Sequence, residues 1–137
     1  MNRNDLHRLA NTRIREAKIL FTAGEYSGAY YLAGYSVECA LKACIAKGVK
    51  RYDFPDKSLA QDSYVHDLSK LLRLADPNSE LVTATQANPL LNASWNLAKS
   101  WTEQSRYTIK TKNEAEAIID AITRRKDGVL PWIKRRW

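Results

Sequence analysis

The segment from Tyr26 to Lys47 constrains the fold more than any other part of the chain. It lies between Gly24 and Gly48, and it is apolar on almost every side of the helix that its composition predicts. Such a helix would span roughly 33 Å at the standard rise per residue. A helix that is apolar all round is buried, so we expect this one to lie at the centre of a helical bundle.

Helical patterns also occupy most of the remaining chain. A first helix is predicted from a cap at Asn4 or Asp5 to about Thr22, ended by Gly24. Three further helices are predicted from Ser63 to Asp76-Pro77, from Ser79 to about Ala87, and from Pro89 through Trp101. A fourth runs from Asn113 to Gly128, and Asn113 and Glu116 form its predicted capping box. Residues 129–137 form a short last segment. Residues 50–63 are predicted to form a loop, and 106–112 are expected to be irregular or extended. With 137 residues and no repeat or linker, the chain is predicted to be one domain, 1–137, with an all-α, up-and-down bundle of four to six helices.

The polar residues within the longest apolar stretch exclude a membrane span. Glu38 and Lys42 interrupt it before it reaches the roughly 20 apolar residues that a span needs, and residues 1–15 lack a signal-peptide core. Cytoplasmic localisation is therefore the expectation. Cys39 and Cys44 are too far apart on a helix for a disulfide, and with only two histidines we expect no metal site. No cofactor motif is present in the sequence, so we expect no cofactor.

The net charge of +7 is concentrated near the two ends of the sequence. Residues 1–18 carry five basic and two acidic side chains, and residues 124–137 carry six basic and one acidic. The run Lys134-Arg135-Arg136-Trp137 combines charge with an aromatic ring, which suits a flexible tail that contacts RNA. Such ends favour a polyanion such as RNA, or an acidic protein, although solvated basic ends without a partner are equally open.

Three motifs, taken together and in this order, resemble the HEPN family. They are GEYSGAYYLAGYSVECALKACI over residues 24–45, YVHDL over 64–68 and WTEQSRY over 101–107. The resemblance covers most of residues 1–126 and implies a four- or five-helix bundle that often forms a homodimer. It also implies involvement with RNA, with a nucleotide, or with a partner nucleotidyltransferase in a toxin–antitoxin or defence setting of bacterial type.

The ribonucleases of the HEPN family carry an Arg and a His separated by four to six residues. Upstream of His66 the allowed positions hold Leu59, Ala60 and Gln61, and upstream of His7 they hold only Met1 and Asn2. Arg3 precedes His7 by too short an interval. The motif is absent, so no catalytic residue is predicted and enzymatic activity is placed in doubt.

Seven polar or aromatic residues are candidates for a ligand- or RNA-binding cleft. Four of them share one face of the central helix and three lie on later segments: Tyr31, Tyr35, Glu38, Lys42, His66, Arg106 and Tyr107. A tyrosine there can stack on a base, while Lys42 or Arg106 can meet a phosphate. The alternative is structural, with the tyrosines in a core or interface and His66 as a cap or loop anchor. A buried carboxylate needs a partner, so in the structural alternative Glu38 pairs with Lys42 or with a neighbouring helix. The resemblance implies that the segment around residue 106 lies near this helix, which makes Arg106 our candidate partner.

Three functional hypotheses follow. The first is a non-catalytic HEPN-like module that binds RNA, a nucleotide or a partner protein. An RNA-binding assay is the first test of this hypothesis. The second is a degenerate HEPN ribonuclease that uses His66, Arg106 or Tyr107. The third is a purely structural oligomerisation protein, whose self-association would be insensitive to salt because it would not involve phosphates.

Overall fold

The computed structural model describes residues 1–48 and 65–137, and the predicted loop 50–63 lies outside these ranges. Seven α-helices and one 3₁₀ helix account for most of the described chain. The α-helices are α1 (Arg3–Thr22), α2 (Tyr26–Lys47), α3 (Leu68–Ala75), α4 (Glu80–Ala87), α5 (Pro89–Lys99), α6 (Lys112–Thr123) and α7 (Val129–Lys134). The 3₁₀ helix is Glu103–Tyr107. The prediction of an all-α bundle is confirmed, and the last short segment adds a seventh helix to the four to six expected.

Helix α2 lies at the centre of the bundle, as its composition predicts. It packs against α1, α3, α6, α7 and the 3₁₀ helix, and its buried side chains are mostly small or aliphatic. Its bounds agree with the prediction because Gly24, with φ of 83°, occupies the left-handed region that ends α1, and Gly48 caps the other end of α2.

Several helix ends differ from the sequence-based expectation. Asn2, rather than Asn4 or Asp5, caps α1, and Asp5 completes the capping box from inside the helix. Asp67 caps α3, whose first residue is Leu68, and Ser63, the predicted start, lies outside the described residues. Because Val65, His66 and Asp67 are not helical, α3 is shorter than predicted.

The later helix ends also move. Thr111 and Glu114 form the capping box of α6, in place of Asn113 and Glu116, because the chain enters the helix two residues earlier. That helix ends at Thr123, and Gly128 caps α7 instead of ending α6. Likewise α5 ends at Lys99, before the expected Trp101.

Trp101 packs directly on the backbone of α2. Its side chain is almost completely buried, and a Cβ atom added at Gly34 would overlap its ring. Trp95 on α5 is buried as well, so both tryptophans belong to the core. Because Trp101 lies two residues before the 3₁₀ helix, its contact with Gly34 holds that helix close to α2.

No helix in the described ranges is both long enough and apolar enough to cross a membrane.

Candidate functional site

A chain of charged side chains connects α2, the start of α3 and the 3₁₀ helix. Lys42 Nζ lies 3.3 Å from Glu38 Oε2, and Glu38 Oε1 lies 2.8 Å from His66 Nδ1. On the other side of the imidazole, His66 Nε2 is 3.3 Å from Glu103 Oε2, and Glu103 Oε1 is 3.4 Å from an Arg106 guanidinium nitrogen. We call these five residues the cleft network. Each charged side chain of the network contacts either a side chain of opposite charge or the imidazole ring of His66.

The expected Glu38–Arg106 ion pair is wrong. Glu38 is buried and does have partners, as its position in an apolar helix requires. They are Lys42, which was expected as an alternative, and His66, which was not. Arg106 instead contacts Glu103, one turn earlier in the 3₁₀ helix. Glu103, which sequence reasoning did not single out, bridges His66 and Arg106. Its position in the run WTEQSRY, three residues before an arginine, is the only sequence signal that suggests this role.

Aromatic rings line the α2 side of the same site. The rings of Tyr31 and Tyr35 stack with centroids 6.1 Å apart and planes 19° apart, and Tyr31 lies 5.9 Å from the Trp101 ring. Both tyrosines are half-buried. Burial, followed by the nearby Cys39 and Glu38, raises the pKa of Tyr35. Two members of the predicted stripe, Glu38 and Lys42, thus belong to the cleft network, and the other two, Tyr31 and Tyr35, stack on each other along the same helix.

Arg106 and Tyr107 form the exposed edge of the site. They belong to a 3₁₀ helix, so the prediction of an irregular or extended segment is wrong for this part of 106–112. Tyr107 is 72% exposed, and the Arg106 guanidinium carbon lies 4.9 Å from the centre of its ring. Nearly half of the Arg106 side chain is also exposed. This pair offers a flat aromatic surface beside a positive charge.

His66 serves as an anchor at the entrance to α3. Its two ring nitrogens contact different carboxylates, Glu38 and Glu103, which belong to separate elements. A neutral imidazole has one N–H, so only the doubly protonated ring donates to both carboxylates at once. Whichever nitrogen carries the proton, both ring nitrogens face carboxylates, so a substrate would have to displace one of these contacts to reach the ring. The geometry matches the loop-anchoring interpretation of His66 rather than that of a catalytic base.

The basic run at residues 134–136 is packed against the bundle, not extended as a free tail. The Arg136 guanidinium carbon lies 3.5 Å from the centre of the Trp132 ring, and its Nε donates to Glu80 at 2.9 Å. Lys47 Nζ donates to the Arg136 carbonyl oxygen at 3.2 Å. Lys134 is half-buried, and Arg135 is exposed. The run is therefore separate from the cleft network and held by its own contacts.

The described residues contain no group of three His, Cys, Asp or Glu side chains suited to a metal ion. Cys39 and Cys44 are both free thiols. Burial, with a smaller contribution from Glu38, raises the pKa of Cys39 to about 11, and burial raises the pKa of Cys44 to about 11. Both thiols are therefore protonated at neutral pH and are poor nucleophiles.

Comparison with protein families identifies the domain. The family model described as HEPN domain matches residues 4–124, which is most of the chain. The chain belongs to the HEPN family. Neither a search of curated proteins nor a search of solved structures finds a match. The match confirms the resemblance inferred from the three motifs, and it indicates a general RNA-related or toxin/defence module.

The matched range includes all of the cleft network but stops at the end of α6. The HEPN domain thus contains Tyr31, Tyr35 and the Arg106–Tyr107 edge, while the run 134–136 lies beyond the matched residues.

Proposed function

We propose that this HEPN domain is a non-catalytic module that binds RNA at its cleft. The observation that carries the proposal is the exposed Arg106–Tyr107 pair, on a 3₁₀ helix that packs against α2, the helix of the stacked Tyr31 and Tyr35. Aromatic rings bind unpaired bases by stacking, and a planar guanidinium stacks on a base or pairs with a phosphate. A surface that combines the two suits single-stranded RNA or an unpaired loop.

The absence of catalysis is supported by two independent features. The Arg and His spacing of the family's ribonucleases does not occur in the sequence. In addition, both nitrogens of His66 contact carboxylates, so a general base would first have to break one of these contacts.

The family relation also suggests a wider setting for this function. We propose that the domain acts as a homodimer and serves a bacterial toxin–antitoxin or defence system, alone or beside a partner nucleotidyltransferase. A free nucleotide would offer the cleft the same base and phosphate groups as RNA does. Light scattering of the purified protein during size-exclusion chromatography tests the dimer directly.

An electrophoretic gel assay with total RNA and tRNA, at low and high salt, tests the proposed function. We expect a salt-sensitive shift of the RNA without cleavage. Loss of one base stack costs about 1–3 kcal/mol, so Tyr107→Ala should weaken binding by roughly 5- to 150-fold. Arg106→Ala should weaken it as well.

Ile109→Ala is the matched control, because Ile109 is 94% exposed, lies two residues from Tyr107 and should have no effect. Cleavage by the unmodified protein that disappears in Arg106→Ala would contradict the proposal and support the degenerate ribonuclease. Neither a shift nor cleavage would also contradict it, and would favour a protein partner or the purely structural role.

A further inference from the structure

The outward side of α1 carries positive charge that its own acidic residues do not neutralise. Arg8, Arg15 and Lys18 are exposed on this side, and none has an acidic partner within ion-pair distance in the described ranges. The two acidic residues of α1 are engaged elsewhere. Asp5 closes the capping box with Asn2, and Glu16 pairs with Arg13.

The last segment of the chain adds charge to the same helix. The Trp137 ring lies on the His7 ring with centroids 4.0 Å apart, and Lys134 Nζ is 5.5 Å from the centre of the Trp137 ring. Burial lowers the pKa of Lys134, and the charge of Lys18 lowers it further. Through the Trp137 ring, Lys134 lies beside His7 of α1, and the two basic ends of the sequence meet in space.

The neighbouring Arg136 shows what a structurally neutralised cation looks like in this protein. It contacts both Glu80 and the Trp132 ring, so its charge helps to hold α7 to α4. Arg8, Arg15, Lys18 and Lys134 have no such acidic partner in the structure described here. We call these four residues the α1 basic face. Charges that repel one another, and that stabilise no other element by pairing, are typical of a surface that meets an anion.

We propose that the α1 basic face binds the phosphate backbone of RNA, as a second contact region separate from the cleft network. Arg8 and Lys18 are roughly 15 Å apart along the helix axis, so the face reaches several phosphates. Its ammonium and guanidinium groups bind phosphate without reading bases, which predicts binding that is independent of sequence and strongly dependent on salt. This inference rests on the proposed RNA binding and adds the surface that supplies its electrostatic part.

The test measures RNA affinity by fluorescence polarisation over a series of salt concentrations, with a labelled single-stranded RNA. The variant Arg8→Gln/Arg15→Gln/Lys18→Gln removes three charges from the face at exposed positions. Each lost phosphate contact reduces the magnitude of the slope of log affinity against log salt by about 0.7 for a single strand. Loss of three contacts should therefore make the slope shallower by about 2.

The matched control is Arg124→Gln/Arg125→Gln/Lys126→Gln, which removes the same net charge from exposed positions. Arg124 lines a groove between α5 and α6, not the outward side of α1. We expect this control to leave the slope nearly unchanged. Lys18→Glu provides a single-site check. Circular dichroism should show unchanged helix content in this variant, and the slope should become shallower by about 0.7.

Three outcomes separate the proposals. If the salt dependence becomes shallower in the α1 variant but not in the control variant, the inference is supported. Equal decreases in the two triple variants, or an unchanged slope in the α1 variant, would overturn it while leaving RNA binding at the cleft intact. No RNA binding by the unmodified protein at any salt concentration would overturn the proposed function itself.

Discussion

The cleft network and the α1 basic face treat charge in opposite ways. In the cleft network, Lys42, Glu38, His66, Glu103 and Arg106 contact one another in series across three elements. On the α1 basic face, like charges lie side by side, and no acidic partner is found for them among the residues described. The comparison teaches that the number of charges does not reveal their role. Charges paired between elements, such as Glu38 and His66, join parts of this fold. Arg106, which pairs only within its own 3₁₀ helix, and the unpaired charges of α1 are available to a ligand.

Two cysteines report on local opening, one near the cleft network and one near the last segment of the chain. Cys39 lies below the cleft, near Glu38 and Lys42, and Cys44 lies below the last segment, 3.9 Å from the carbonyl oxygen of Ile133. Both thiols have a pKa of about 11, against 9.0 for an unshifted thiol. At pH 8 the thiolate fraction is therefore about 100-fold lower than in the unfolded chain.

We expect iodoacetamide to alkylate both cysteines at least about 100-fold more slowly in the native protein than in urea, as measured by mass spectrometry of the peptides. The raised pKa of both thiols also makes the free energy of unfolding depend on pH. The folded state keeps the thiols protonated where the unfolded chain ionises them, so the free energy of unfolding should decrease as the pH rises from about 9 to about 11. Fast alkylation of Cys44 alone would show that the last segment opens independently of the cleft.

The position of the 3₁₀ helix beside α2 depends on the close approach of Trp101 to Gly34, and Gly34→Ala should prevent that approach. The added methyl group overlaps the indole ring, so we expect a loss of about 1–3 kcal/mol in the free energy of unfolding, measured with urea. Gly28→Ala is the control. Its Cβ meets only the flexible Leu20 side chain, at 3.2 Å, and a helical alanine is intrinsically favoured. Equal destabilisation by both substitutions would contradict this account of Trp101.

Glu38 tests whether paired charges hold the cleft together. Glu38→Ala removes the partner of both Lys42 and His66, and we expect a loss of about 1–3 kcal/mol in the free energy of unfolding. Glu38→Gln should lose less, because the amide oxygen still accepts one hydrogen bond. Glu103→Ala, at a more exposed position, should lose less than about 1 kcal/mol. A larger loss for Glu103→Ala than for Glu38→Ala would reverse the order of importance within the network.

The smallest effect is expected on the α1 basic face. Lys18→Gln removes an exposed charge near Lys134, so the free energy of unfolding should change by no more than about 0.5 kcal/mol. A thermal melt at low salt checks this, with Arg13→Gln, which breaks the pair with Glu16, as the comparison. A loss above 1 kcal/mol for Lys18→Gln would show that the face is structural and would weaken the contrast with the cleft.

Local sequence signals determined the elements of this fold. The apolar run of α2, Gly24 and Gly48 predicted the bounds of the central helix because helix ends depend on residues close in sequence. The three HEPN motifs predicted the family that the family model matches. Errors arose where two residues compete for one role, as when Thr111 rather than Asn113 caps α6. Such choices differ by small energies that packing of the following helix decides.

Long-range contacts were decided only by the tertiary structure. That Glu38 is buried and needs a partner follows from its apolar helix, and the i,i+4 spacing offers Lys42. The contact with His66, and that of Arg106 with Glu103 instead of Glu38, depend on the path of the chain before α3 and after α5. The meeting of the two basic ends likewise rests on the packing of Trp137 against His7. Periodicity assigns a residue to one face of its own helix. Which distant residue meets that face depends on how all the helices bury their apolar sides together, and no short segment contains that information.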